Sequence, residues 1–213
     1  MYPVNPKCEI AAVSRILARI EHPVIVELGA CDGDDSEWMR EACKHEHERY
    51  IMVEPDPELC RVIREERLGH ATLFEAAIVG DANAPEYVDF YVTENDKQQL
   101  RASGSTHQPT GHLKEFPWCK FPKKIKVKGY TLDLLFEVCG LTRIDLLWVD
   151  IQGAERDMIA GGQEALAATR YLFIEAEEQE LYEGQALRPE LLSLLPDFRV
   201  IREFNWNLLL EHR

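Results

Sequence analysis

The sequence predicts an α/β fold, a mostly parallel sheet with helices on both faces. Short apolar runs alternate with amphipathic stretches, the pattern of strands joined by crossover helices. Acids and glycines recur where those runs end, as at Glu27-Leu28-Gly29-Ala30-Cys31-Asp32-Gly33, Glu54-Pro55 and Asp150-Ile151-Gln152-Gly153. Two final runs, about 198–204 and 207–212, are separated by Asn205-Trp206, a connection so short that it allows only an antiparallel pair.

The elements follow in order. Ile10, Val13, Ile16, Leu17 and Ile20 share one face of an N-terminal helix over 8–21, within a leading segment 1–22. A buried strand over 23–28 follows, and then a helix over 36–45 with Trp38, Met39, Ala42 and Cys43 inward. Arg49 to Val53 is a second strand; Glu54 belongs to its end, because a residue before proline is pushed to extended geometry. Asp56 caps the next helix, Pro57 takes its first position, and Leu59, Val62 and Ile63 face inward. Ala71 to Glu75 is a third strand, completing a βαβαβ unit with right-handed crossovers.

Glu86 to Thr93 reads as another strand, after which the rhythm breaks. Residues 94–122 are polar, with Gly104, Gly111 and three prolines, and a loop this long is expected to act as a lid or substrate loop. Lys114 to Lys128 holds six lysines against Glu115 alone. They either protect a sheet edge or meet an anionic substrate group. Thr131 then caps a helix with Leu132, Leu135, Phe136 and Cys139 inward, and Gly140 stops it. Ile144 to Val149 is nearly all apolar, as a strand buried on both faces should be; it ends in Asp150 and leads into another helix. Tyr171 to Ile174 is a strand ending in Glu175, and a helix over 189–195 precedes the final pair.

Residues 1–213 suit one domain with a sizeable core. The formal charge of −14 argues against nucleic acid as a partner, since phosphate neutralisation needs Lys and Arg. Cysteines at 8, 31, 43, 60, 119 and 139 form no C-x-x-C, which fits a reducing compartment. Met1 to Lys7 lacks the apolar core of a signal peptide and no run approaches a membrane span, so the chain reads as cytoplasmic. His45 and His47 flank Glu46 but read as a solvated helix end, so no metal site is expected.

In a parallel sheet the strand carboxyl ends form one rim, so Glu27, Asp32, Glu54, Glu75, Asp150 and Glu175 surround a single crevice. The turn Gly29 to Gly33 lets a ligand approach the backbone, and the helix start after it offers free N–H groups. It is not G-x-G-x-x-G, and Asp32 and Asp34 would repel a pyrophosphate. Glu54, after strand two, is placed to accept both hydroxyls of a ribose. Carboxylates without a phosphate cradle suit a cationic nucleoside, of which S-adenosylmethionine is one. A nicotinamide-dependent oxidoreductase would share this start but requires the missing glycine. A non-catalytic nucleoside-binding domain would keep the same rim.

Val26 to Gly33, Glu54-Pro55, Thr131-Leu132-Asp133 and Ile144 to Glu155 resemble the FkbM family of S-adenosylmethionine-dependent methyltransferases over roughly residues 23–178. The Thr-Leu-Asp segment followed by Asp-x-x-Gly-Ala-Glu is the specific part, and Ser103-Gly104-Ser105 also looks like a family feature. The resemblance implies a Rossmann-like class I methyltransferase fold, a seven-stranded sheet whose last strand is antiparallel. It implies O-methylation of a hydroxyl on a small molecule such as a sugar, glycolipid or polyketide.

Carried over by position, Gly29, Ala30 and Gly33 would hug the methionine part of the cofactor, with Glu27 and Asp32 beside its amino group. Glu54 would take the ribose, Ala76 and Ala77 would lie against adenine, and Asp150 would sit near the transferring methyl; Asp56 and Gln152 complete the expected cofactor set. Gln152 stands where many relatives carry Glu, and it can act neither as a base nor as a good ligand for a divalent ion. Asp150 and His107 are the expected catalytic residues, with His112 also a candidate base. Trp118 is expected at the acceptor pocket, and Trp206 in the core.

Overall fold

The computed structural model describes residues 6–43, 49–95 and 102–213. His45, Glu46 and His47, and part of the expected loop, lie outside the described residues. In chain order the first elements are α1 (Pro6–Leu17), β1 (Val24–Leu28), α2 (Asp34–Ala42), β2 (Arg49–Glu54), α3 (Pro57–Val62), β3 (Thr72–Glu75), β4 (Ala77–Ile78) and β5 (Tyr87–Asn95). A π-helical stretch, Ile63–Arg67, continues α3. Then come α4 (His112–Glu115), β6 (Cys119–Tyr130), α5 (Leu132–Val138), β7 (Ile144–Val149), α6 (Glu155–Ala160), α7 (Gln163–Ala167), β8 (Thr169–Glu175), α8 (Arg188–Leu194), β9 (Phe198–Glu203) and β10 (Asn207–His212).

The main sheet has the seven strands expected, and their order is β3-β2-β1-β7-β8-β10-β9. β10 pairs antiparallel with β8 and β9, and the remaining pairings are parallel. The chain builds outward from β1 through β2 and β3, then returns to place β7 and β8 on the other side. β1 and β7 therefore flank a topological switch point, and the crevice beyond their carboxyl ends is where ligands bind in open α/β sheets.

The strands are apolar throughout because both faces are covered. Val24, Val26 and Leu28 pack with Leu147 and Val149 beneath α5 to α8, through Leu135, Met158, Leu166 and Leu191. Ile25, Met52, Leu146 and Phe173 point the other way, against Val13 and Leu17 of α1 and Met39 of α2. Each such buried side chain stabilises the fold by about 1.5–3 kcal/mol. The caps form as read: Asp56 accepts from Glu58 N at 2.9 Å and Thr131 Oγ1 from Leu134 N at 3.1 Å. The first helix ends at Leu17 rather than continuing to 21: Arg19 N and Ile20 N bond only three residues back, to Ile16 O and Leu17 O, and His22, at a φ of 50°, then turns the chain into β1.

The strand read at 86–93 does not join the main sheet. β5 pairs antiparallel with β6 in a separate ribbon, to which β4 adds a short parallel pairing. The supposed structureless loop thus contains the end of β5, the short α4 and the start of β6. Lysines mask the period of β6, whose Val127 is buried and Ile125 half-buried between exposed Lys124 and Lys126. Both of those lysines pair with Asp89, at 3.1 and 2.8 Å, so this part of the lysine run is a solvated face.

Candidate functional site

β1 ends in a turn whose shape requires its glycines. Gly29 has a φ of 84°, and both Gly29 N and Ala30 N donate to Val53 O, at 2.9 and 3.0 Å. Cys31 N donates to Glu54 Oε2 at 2.9 Å, and Asp56 N to Glu54 Oε1 at 2.8 Å. One carboxylate thereby ties the turn to the start of α3. Each oxygen keeps a lone pair free, and Glu54 lines the cavity that opens here, of about 210 Å³.

Of the expected cofactor residues, Gly29, Ala30, Asp32, Glu54, Ala76, Ala77, Asp150 and Gln152 line this cavity. Glu27, Gly33 and Asp56 are not among its lining residues. Glu27 is buried behind the turn, where it accepts from Ser36 and, at 3.0 Å, from the Tyr50 hydroxyl. Gly33 is the N-cap of α2, and the Asp56 side chain caps α3. Asp35, which the sequence reading passed over, does line the cavity and accepts from Trp38 Nε1 at 2.8 Å. As the second residue of α2 it carried no signal of its own. Arg67 pairs with Asp32 at 3.4 Å and with Asp34, so the acids of the turn are partly neutralised by the protein itself.

A second cavity, of about 620 Å³, shares Ala102, Asp150 and Gln152 with the first. Its wall includes Thr93, His112, Phe116, Trp118, Glu175, Glu177 and Trp206. Trp206 is half-buried in this wall rather than in the core, because its short connection sits at the rim where β8 ends. His107 lines neither cavity: its ring nitrogens lie 2.9 Å from Glu183 O and 3.0 Å from Asp157 Oδ2. The expectation that His107 reaches the reacting atoms is corrected on that ground. His112 lines the second cavity instead, and burial pushes its pKa down to about 4.

Gln152 explains itself in this setting. At a φ of 52°, its Nε2 donates to Asp150 Oδ1 at 2.6 Å and to Glu175 Oε2 at 3.0 Å. Its Oε1 accepts from the Tyr182 hydroxyl at 2.7 Å, and Ser105 Oγ donates to its carbonyl at 2.7 Å. A glutamate here would have no amide N–H to offer and would bring a further carboxyl group between two buried acids. Burial raises Asp150 to about 6, opposed by the Gln152 hydrogen bond. Burial, then the Asp150 charge, holds Glu175 well above the usual carboxylate range.

Two predictions arise here. Glu54→Gln must turn an amide NH₂ toward one of two backbone donors, so affinity for S-adenosylhomocysteine should fall about 10-fold by calorimetry. The second concerns pH. Burial pushes Glu27 and Glu54 each up to about 8, from an ordinary 4.5. Such groups stabilise the fold fully below their unfolded pKa, and that stability is lost as pH rises through the folded value. The melting temperature of the protein alone should therefore fall between pH 6 and pH 9, by roughly 10 °C or more. A melting temperature that rises over this interval would contradict it.

The chain matches the family described as "Methyltransferase FkbM domain" over residues 27–206. It is 37% identical over 206 residues to the 2-O-methyltransferase NoeI of Sinorhizobium fredii (strain NBRC 101917 / NGR234), covering 94% of this chain and 83% of that one. The crystal structure of a methyltransferase FkbM from Methylobacillus flagellatus KT superposes with a TM-score of 0.51 at 16% identity, over 90% of this chain. The match takes in 43% of that longer protein. An rRNA methylase from Streptococcus thermophilus gives a TM-score of 0.54 at 8% identity, covering 100% of this chain and 98% of that one, a likeness of fold. The fold is that of a methyltransferase. Within that class, the chain belongs to the FkbM family.

Proposed function

We propose that the chain transfers the methyl group of S-adenosylmethionine to a hydroxyl of a small molecule. The observation that carries this reading is Asp150, a carboxylate at the switch point that lines both cavities. The first cavity fits the cofactor. Gly29 leaves room where a Cβ would collide with Asp150 O, Glu54 has lone pairs left for ribose hydroxyls, and Ala76 and Ala77 give a small apolar wall. When bound, the cofactor supplies a sulfonium methyl open to in-line displacement. NoeI is named a 2-O-methyltransferase, which supports a hydroxyl oxygen as the atom methylated.

The protein's part is alignment and proton removal. Holding two reactants in line can remove about 7–11 kcal/mol of the barrier. A hydroxyl is a weak nucleophile, and in this reading Asp150 accepts its proton as the new C–O bond forms. Gln152 fixes Asp150 by donating to one oxygen, while the neighbouring Glu175 keeps its own proton and adds no charge. All six cysteines are free, which supports placing this activity in the reducing cytoplasm. The test is transfer of labelled methyl from S-adenosylmethionine to hydroxyl acceptors, with calorimetry of S-adenosylhomocysteine and NADH alongside. Binding of the first without the second is expected; heat from NADH alone would overturn the reading.

A further inference from the structure

Two buried polar atoms, each on a residue that lines the second cavity, have no partner within the protein. Thr93 is 1% exposed and His112 is 4% exposed, and neither Thr93 Oγ1 nor His112 Nδ1 makes a hydrogen bond. A buried polar group left without a partner costs about 1–3 kcal/mol, so folded proteins keep few of them. Both residues lie in the wall of the cavity that Asp150 and Gln152 also line. Chain geometry delivers them there. The pairing of β5 with β6 slips between Val92 and Glu94, leaving Thr93 at an irregularity of the kind that re-aims a side chain. The His112 ring is held by Phe116, Phe121 and Tyr182, with centroids 4.8, 5.4 and 5.5 Å away.

The rest of the wall states what can lie between them. Asp150, Glu175 and Glu177 surround the cavity, and among the described residues no lysine or arginine lines it. A phosphate or carboxylate brought here would face the Asp150 carboxylate with no cation to offset it. Phe116, Trp118 and Trp206 offer apolar ring faces. His112, held neutral by its burial, can donate or accept at Nδ1 according to its tautomer, and the Thr93 hydroxyl can do both.

We infer that Thr93 and His112 are specificity-determining residues that hydrogen-bond an uncharged, polyhydroxylated acceptor in the second cavity. The inference rests on the methyl-transfer reading above. The acceptor's hydroxyls complete the two orphaned groups and so set which oxygen is presented to Asp150. A compound lacking those hydroxyls leaves both groups buried and unpaired, which is a strong basis for rejection.

The test measures labelled methyl transfer to methyl glucopyranoside and other neutral glycosides, beside glucuronic acid and glucose 1-phosphate. Thr93→Val, Thr93→Ser and His112→Phe are then compared with the wild type on the acceptor it uses. The expected result is transfer to a neutral compound. Thr93→Val and His112→Phe should each raise its KM about 10-fold with kcat little changed, and Thr93→Ser should stay within about 3-fold of the wild type. Affinity for S-adenosylhomocysteine should not move. Neither Thr93→Val nor His112→Phe should lower the melting temperature, since each removes an unpaired buried atom; a structural role would lower it. Methylation of an anionic compound, or an unchanged KM, overturns the inference while methyl transfer itself stands. S-adenosylhomocysteine binding with no transfer to any neutral compound also overturns it. Failure to bind S-adenosylhomocysteine strikes the earlier reading instead.

Discussion

Asp150→Asn should lower methyl transfer by about 10²–10⁴-fold, the range of general-base catalysis, while cofactor affinity changes little. The substitution is conservative where it matters for folding. Asn keeps an oxygen to accept from Gln152 Nε2, 2.6 Å from Asp150 Oδ1 in the native chain, and is close to Asp in size. What it removes is proton affinity at the junction of the two cavities. The informative comparison is Glu175→Gln. If Glu175 only holds a proton beside Asp150, this variant should retain most of its turnover. If Asp150→Asn keeps full rate and Glu175→Gln loses it, the base has been assigned to the wrong carboxylate. The pH–rate profile adds an independent reading. Asp150 must be ionised to act, so kcat should rise with pH through a value near 6 in the wild type and lose that limb in Asp150→Asn.

The parts of this chain that were legible in its sequence are those fixed by local chemistry. A run such as Ile144 to Val149 can only be a strand covered on both faces, and Asp56 and Thr131 announce their helices by capping them. The acids at strand ends could be placed on one rim because a parallel sheet leaves no choice. Four of them, Asp32, Glu54, Asp150 and Glu175, line the two cavities, while Glu27 lies behind the turn and Glu75 pairs with Arg64; the eight of eleven expected cofactor residues that line the first cavity were placed by the family resemblance. What failed depended on distant pairing. His107 and His112 look alike in sequence; one is taken by Asp157 and Glu183, the other is folded into an aromatic cluster at the second cavity. β6 was legible only as lysines that protect a sheet edge, because its lysines follow solvent exposure and leave no clear core period. Thr93 was unreadable because its orientation depends on a slip in register against that same strand. Gln152, read from the sequence as unable to act as a base or to hold a divalent ion, supplies two donor contacts once Asp150 and Glu175 are seen beside it.

The turn after β1 allows the sharpest structural prediction. A Cβ on Gly29 would stand 1.8 Å from the Asp150 carbonyl oxygen and 2.8 Å from its carbon, and both are backbone atoms. Neither side can retreat freely. Asp150 N donates to Leu28 O at 3.0 Å, which closes the β1–β7 pairing, and Gly29 N is held by Val53 O at 2.9 Å. The φ of 84° adds strain for any L side chain. Gly29→Ala must therefore part the two central strands at the switch point, drawing Cys31 N away from Glu54 and shifting Asp150. The expected cost is about 4 kcal/mol or more, seen as a fall in melting temperature of roughly 8–16 °C, with loss of measurable S-adenosylhomocysteine binding. Gly140→Ala is the control. It too has a positive φ, 59°, but a Cβ there meets nothing within 4 Å, so only the backbone penalty of about 1 kcal/mol is expected. If the two alanine variants melt together, close approach of the strands at Gly29 is not what this glycine provides, and the cavity beside it is not shaped by that contact.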